Sequence, residues 1–207
     1  MTINCDRHQL ILLFRRALSR DRHLRTVQQA PAGLRHAAVL MPIVERHNEL
    51  YVLFIERATH LKHHAGQIGF PGGAIEKDDA SPLACALREA EEEIGLRPNK
   101  VEVLGPLPPR ITAVSSFFIQ PFLGFVHDFH AEHLDSNEVS GVFEAPLNLL
   151  LNPTRHDQQS VLWQGEQRRF YQIMYNNKRI WGATAGMIVE LAHLLLPDHF
   201  IDAPRVE

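Results

Sequence analysis

Arg88, Glu89, Glu92 and Glu93 stand close together in the run REAEEE, and their types suit the binding of a cation and a phosphate group. On a helix, carboxylates spaced three and four apart share one face and can converge. Helix stability offers no reason for such a cluster. Like charges at those spacings cost about 0.2–0.5 kcal/mol per pair, and the helix C-terminus disfavours anions. A solvated acidic face is the plain alternative. Against it stands Phe70-Pro71-Gly72-Gly73 upstream, a rigid turn followed by backbone without Cβ atoms, suited to close approach to a ligand or metal. A carbonyl presented there, facing carboxylates, makes the oxygen-rich site that magnesium or manganese prefers.

The element that carries these glutamates reads as one helix. Ser81 is a good N-cap, Pro82 fits the first helical position, and Gly95 closes the end. Leu83, Leu87, Ala90 and Ile94 recur with the helical period and form an apolar stripe. Before it, Ala37 to Glu45 and Leu50 to Glu56 are apolar, β-branched runs around a polar turn, which reads as a hairpin. Strands are expected at Val101 to Leu107, Phe117 to Val126, Glu138 to Phe143 and Phe170 to Met174, with Pro121 marking a bulge or an edge. A helical turn at Pro146 to Leu151 and a final helix from Gly182 to Leu196, stopped by Pro197, complete the pattern. Strands on both sides of a central helix predict an α/β fold with a mixed sheet between helices.

The N-terminal part differs. Residues Gln9 to Arg25 read as a basic amphipathic surface helix, and Gln28 to Gly33 as a linker. The expected division is therefore an N-terminal helical extension over 1–34 and a catalytic domain over 35–200. The run LILLF is too short for a signal peptide or a membrane span. The 207 residues suit one domain, and a formal charge of −3 gives no electrostatic case for nucleic acid. The two cysteines, Cys5 and Cys85, show no zinc or redox spacing, which points to a reducing cytoplasm. The thirteen histidines include a cluster at His60, His63 and His64, better suited to solvent or phosphate than to zinc. Composition leaves monomer and homodimer open.

Read as a whole, GGAIEKDDASPLACALREAEEEIGL resembles the Nudix box, G-x5-E-x7-R-E-U-x-E-E-x-G-U. Gly73 supplies the first glycine, and Arg88 to Leu96 match the second half. Asp79 stands where the pattern has glutamate, and the spacer to Arg88 is eight residues rather than seven. The preceding run, Arg57 to Gly73, resembles the extra motif of the coenzyme A pyrophosphatase branch, which shares both departures. Lys62 stands where that branch more often has arginine. Asn137 to Phe143 and Ile180 to Ala185 resemble its later segments.

The resemblance implies an α/β/α sandwich and divalent-metal-dependent hydrolysis of the coenzyme A pyrophosphate bond, giving 4′-phosphopantetheine and adenosine 3′,5′-bisphosphate. It implies Mg2+ or Mn2+ on the Gly73 carbonyl, Glu89, Glu92 and Glu93. Arg88 would pair with these carboxylates and fix their rotamers. Glu89 and Glu138 are the candidates for the general base. Arg57, Lys62, His63, His64, Gly66 and Phe70 would meet the small-molecule substrate. Two other readings remain: a Nudix hydrolase of ADP-ribose, NADH or a dinucleotide polyphosphate, and a non-catalytic Nudix-fold sensing module. The intact set of box glutamates speaks against the second.

Overall fold

The alternation of the two runs after Gly33 sets the sheet. In the computed structural model, which describes residues 6–20, 31–112, 116–131 and 133–199, these runs are β1 (Arg35–Arg46) and β2 (Glu49–Arg57). Arg46 pairs with Glu49 across a two-residue turn, and His47 and Asn48 there take φ of 52° and 65°, as a tight hairpin requires. Cys5, the expected helix beyond Arg20 and the first half of the linker lie outside the described residues.

β1 organises the rest. Its first half pairs with β4 (Gly72–Ala74), placing Ala38 opposite Gly73, whereas its second half pairs with β2. The sheet therefore divides beside the glycine turn. β7 (Phe117–Val126) runs parallel to β1 along its length, and β5 (Val101–Pro106) and β6 (Arg110–Ile111) pair antiparallel with β7. β3 (Ile68–Gly69) and β8 (Val139–Pro146) both pair with β2. The sheet is mixed, as expected. Pro121 is neither a bulge nor an edge, because β7 lies inside the sheet between β1 and β5. It sits where the partner changes from β5 to β6, and there the Leu107 N–H donates to the Pro121 carbonyl at 2.9 Å.

Both faces of the sheet are covered. Ala38, Leu40 and Val44 of β1 meet Cys85, Ala86, Ala90 and Ile94 of α2 (Pro82–Ile94). Met41 and Ile43 point the other way, into a core shared with α1 (Arg7–Arg20) and α4 (Gly182–Leu195). This is the α/β/α sandwich. The stripe on α2 is turned relative to expectation: Leu83 and Leu87 are half-buried, while Cys85 and Ala86 are fully enclosed. α1 carries Leu10 and Phe14 into the main core, with Ala17 also buried, so this part of the 1–34 region is built into the fold that follows.

A second, three-stranded antiparallel sheet follows, of which only the middle strand is legible in the sequence. β9 (Asp157–Trp163), β10 (Glu166–Tyr175) and β11 (Lys178–Trp181) form it, with α3 (Leu147–Leu150) just before. β9 lacks a buried face, so its sequence shows no alternation. Thr184 Oγ1 donates to the Ile68 carbonyl at 3.1 Å, fastening α4 to the strand that leads into the glycine turn. Among the described residues no helix is long and apolar enough to cross a membrane.

Candidate active site

Capping fixes the frame of α2. Ser81 Oγ accepts the Ala84 N–H at 3.1 Å, and Gly95 takes the left-handed conformation with φ of 69°. The Gly95 and Leu96 N–H groups then close onto the Glu91 and Ala90 carbonyls, a paired C-terminal cap with Leu96 buried behind it. A helix held at both ends places Glu89 and Glu93 against the glycine turn.

The two glycines there are needed for different reasons. Gly72 has φ of 150°, and a Cβ on it would lie 2.3 Å from the Ala38 carbonyl oxygen. A Cβ on Gly73 would lie 2.4 Å from Glu89 Oε1. The missing side chains let a carboxylate lie directly on backbone. The Gly72 N–H also donates to Glu93 Oε2 at 2.9 Å. Glu93 is only 2% exposed, and its Oε1 accepts no hydrogen bond, lying 3.7 Å from Arg57 Nη1. Burial pushes the Glu93 carboxyl up to about 8, against the pull of the Gly72 N–H and Arg57, with Glu89 and Glu138 adding to the rise. Glu89 is raised as well, by burial first.

Arg88 is the hub. Its Nε and Nη2 donate to Asp79 Oδ1 and Oδ2, both at 3.0 Å, and its Nη1 reaches Glu89 Oε1 at 3.0 Å and Glu92 Oε2 at 2.9 Å. The guanidinium holds the Asp79 carboxyl down at about 2, while the acids around Arg88 raise its own pKa. Asp79 Oδ2 also accepts the Glu76 N–H at 2.8 Å, which closes the turn before the helix. Asp79, without a role in the sequence reading, anchors Arg88 here. Arg88 grips Glu89 and Glu92 but makes no hydrogen bond to Glu93, which turns inward to the Gly72 N–H.

The three glutamates therefore do not meet at one point, and among the described residues no group of three or more His, Cys, Asp or Glu is assembled to hold a metal ion. The donors still suit a hard divalent cation. They are oxygens, they carry negative charge, and the buried Glu93 Oε1 lacks a partner beside Glu89 and the glycine turn.

The loop before the turn is closed on itself. The Arg57 N–H donates to the Gln67 carbonyl at 2.9 Å, and the Gly66 N–H returns to the Arg57 carbonyl at 3.1 Å. Lys62, His63 and His64 are exposed between these ends, with His64 Nδ1 at 2.9 Å from Gln67 Oε1. Gly66, with φ of 66°, serves the turn. Phe70 corrects the sequence reading. It is buried in the main core, stacked on Phe54 at 5.1 Å, and offers no face to a ligand. Arg57 faces Glu93 across the site. Glu138 lies on a turn just before β8 rather than on the strand, exposed, with its charge felt by both Glu89 and Glu93.

Residues 34–164 match the NUDIX domain family. The chain belongs to the Nudix family. It is 42% identical over 176 residues to an uncharacterized Nudix hydrolase NudL of Shigella flexneri serotype 5b, covering 84% of this chain and 91% of that one. The NudL protein of Escherichia coli K12 is 41% identical over the same length, with the same coverage. Among solved structures, a Nudix hydrolase of Alicyclobacillus acidocaldarius superposes with a TM-score of 0.53 at 19% identity, over 86% of this chain and 100% of its own. A MutT/nudix family protein of Enterococcus faecalis gives 0.51 at 14% identity, over 98% of this chain and 78% of its own. These two bear on the fold alone. Nudix hydrolases act on phosphoanhydrides and generally require divalent metal ions.

Proposed function

We propose that this Nudix hydrolase cleaves the pyrophosphate bond of coenzyme A, using Mg2+ or Mn2+, to 4′-phosphopantetheine and adenosine 3′,5′-bisphosphate. The observation that carries the reading is the closed loop from Arg57 to Gln67, which displays Lys62, His63 and His64 immediately before the glycine turn. A substrate with a 3′-phosphate beyond its pyrophosphate needs cationic and hydrogen-bonding groups outside the box, and this loop supplies them.

A divalent cation held by Glu89, Glu92, Glu93 and the Gly73 carbonyl would neutralise the anhydride's charge and orient its phosphates. The chain's own groups do the rest. Water attacks one phosphorus as the P–O bond to the other phosphate breaks, and the departing phosphate keeps the electron pair. Glu138 takes the water proton, with Glu89 as the second candidate. Arg88, fixed by Asp79, keeps Glu89 and Glu92 in place.

The substrate assignment is tested on the loop. Lys62→Ala and His63→Ala should raise KM for coenzyme A about tenfold with kcat nearly unchanged, since these groups bind without entering the reaction. Unchanged KM for coenzyme A in both variants would remove the loop from recognition and the assignment with it.

A further inference from the structure

Asp135 gathers several of the hydrogen bonds that fasten the turn carrying Glu138. The Asp135 N–H donates to the Glu93 carbonyl at 3.0 Å, at the end of α2 where carbonyls lack helical partners. The Asp135 carbonyl accepts the N–H of Glu138 at 3.0 Å and that of Val139 at 2.8 Å. Its carboxylate Oδ1 accepts both the backbone N–H and the side-chain Nδ2 of Asn137, each at 2.9 Å. This is an Asx turn, the local structure that aspartate stabilises by bonding the backbone two residues on. On the far side, the Glu138 carbonyl accepts the Ala58 N–H at 2.8 Å, and Ser140 Oγ donates to the Glu56 carbonyl at 3.2 Å. The backbone of Glu138 is thus held between the end of α2 and the base of the Arg57 loop.

We infer that Asp135, with Asn137 as its partner, is a positioning residue for the reaction, setting where the Glu138 carboxylate stands relative to Glu93. The inference rests on the reading of Glu138 as the base. Glu138 is exposed and its side chain has no hydrogen bond of its own among those described, so its backbone anchors decide where it can reach. The Asp135 N–H ties that anchor to the residue that also faces the Gly72 N–H and Arg57. The turn is in this way joined by a backbone hydrogen bond to the carboxylate corner. A group displaced by about 1 Å from a reacting atom loses up to about a hundredfold in rate, which makes such fastening matter.

The test is a double-mutant cycle on kcat and KM for a phosphoanhydride that the wild type turns over, with melting temperatures in parallel. Asp135→Ala should lower kcat about tenfold with KM within about twofold. Asp135→Asn, which keeps an acceptor for the Asn137 N–H, should restore most of the rate. In the Glu138→Gln background, Asp135→Ala should cost little more, since a residue acting through Glu138 has nothing left to position. An equal further loss in that background, or an unchanged kcat in Asp135→Ala, overturns the inference. An unchanged kcat in Glu138→Gln instead overturns the base assignment itself. Should Asp135→Ala not fold, Asn137→Ala removes the side-chain bond alone and is held to the same outcomes.

Discussion

Arg88 holds Asp79 at two points, Nε to Oδ1 and Nη2 to Oδ2, both at 3.0 Å, and uses its remaining nitrogen to span Glu89 and Glu92. The planar fork of arginine fits this task, and the rounder ammonium of lysine does not. Arg88→Lys should lower kcat about a hundredfold, and Asp79→Ala about tenfold with weaker metal affinity, as removal of a partner behind the ligands does. Steady-state rates over a magnesium titration check both. Wild-type rates in Arg88→Lys would mean that charge alone suffices.

Acid should expose the same pair. Asp79 is lowered from 3.8 to about 2, chiefly by the Arg88 hydrogen bonds, so the fold favours its ionised form. The stability this gives is complete above the unfolded value of 3.8 and is lost as pH falls through about 2. Urea midpoints measured down that window should fall more steeply for the wild type than for Asp79→Asn. Parallel slopes would show that the pair contributes nothing to stability.

The two glycines of the turn should fail in different ways. Alanine at 72 meets the backbone oxygen of Ala38 at 2.3 Å, which cannot move without breaking β1 from β4. Alanine at 73 meets a carboxylate oxygen of Glu89 at 2.4 Å, and that group can swing aside. Gly72→Ala should therefore lower the melting temperature sharply. Gly73→Ala should keep the fold and lose about a hundredfold in activity through the displaced Glu89. Thermal melts and rates on the two variants separate the effects, and a well-folded, active Gly73→Ala would contradict the geometry.

Much of this site was legible in the sequence. Ser81, Pro82 and Gly95 bounded α2 correctly because capping is local chemistry, carried by residues next to the element they end. The hairpin of β1 and β2 was readable from its alternation. What the sequence leaves unread depends on tertiary contacts. Phe70 looks like a ligand-facing aromatic beside a glycine turn, and only the stack on Phe54 places it in the core. Glu93 looks like its neighbours, yet the helix phase turns it inward to the Gly72 N–H. The role of Asp79 shows only in its two hydrogen bonds with Arg88, nine residues on.

Glu93 also yields a prediction on stability. Its carboxylate is buried, with one oxygen accepting no hydrogen bond, so a neutral amide of the same shape should fit at least as well. Glu93→Gln should melt no lower than the wild type while losing most turnover. A lower melting temperature would show that the charge supports the fold, through Arg57.

The substrate decides the account. Purified protein with magnesium and equal concentrations of coenzyme A, ADP-ribose and diadenosine tetraphosphate should be assayed separately, with the products resolved by chromatography. Coenzyme A should give 4′-phosphopantetheine and adenosine 3′,5′-bisphosphate, at a kcat/KM above that for the other two anhydrides. Faster turnover of ADP-ribose or the dinucleotide would contradict the coenzyme A reading and leave a Nudix hydrolase of another substrate, and binding without any turnover would contradict hydrolysis itself.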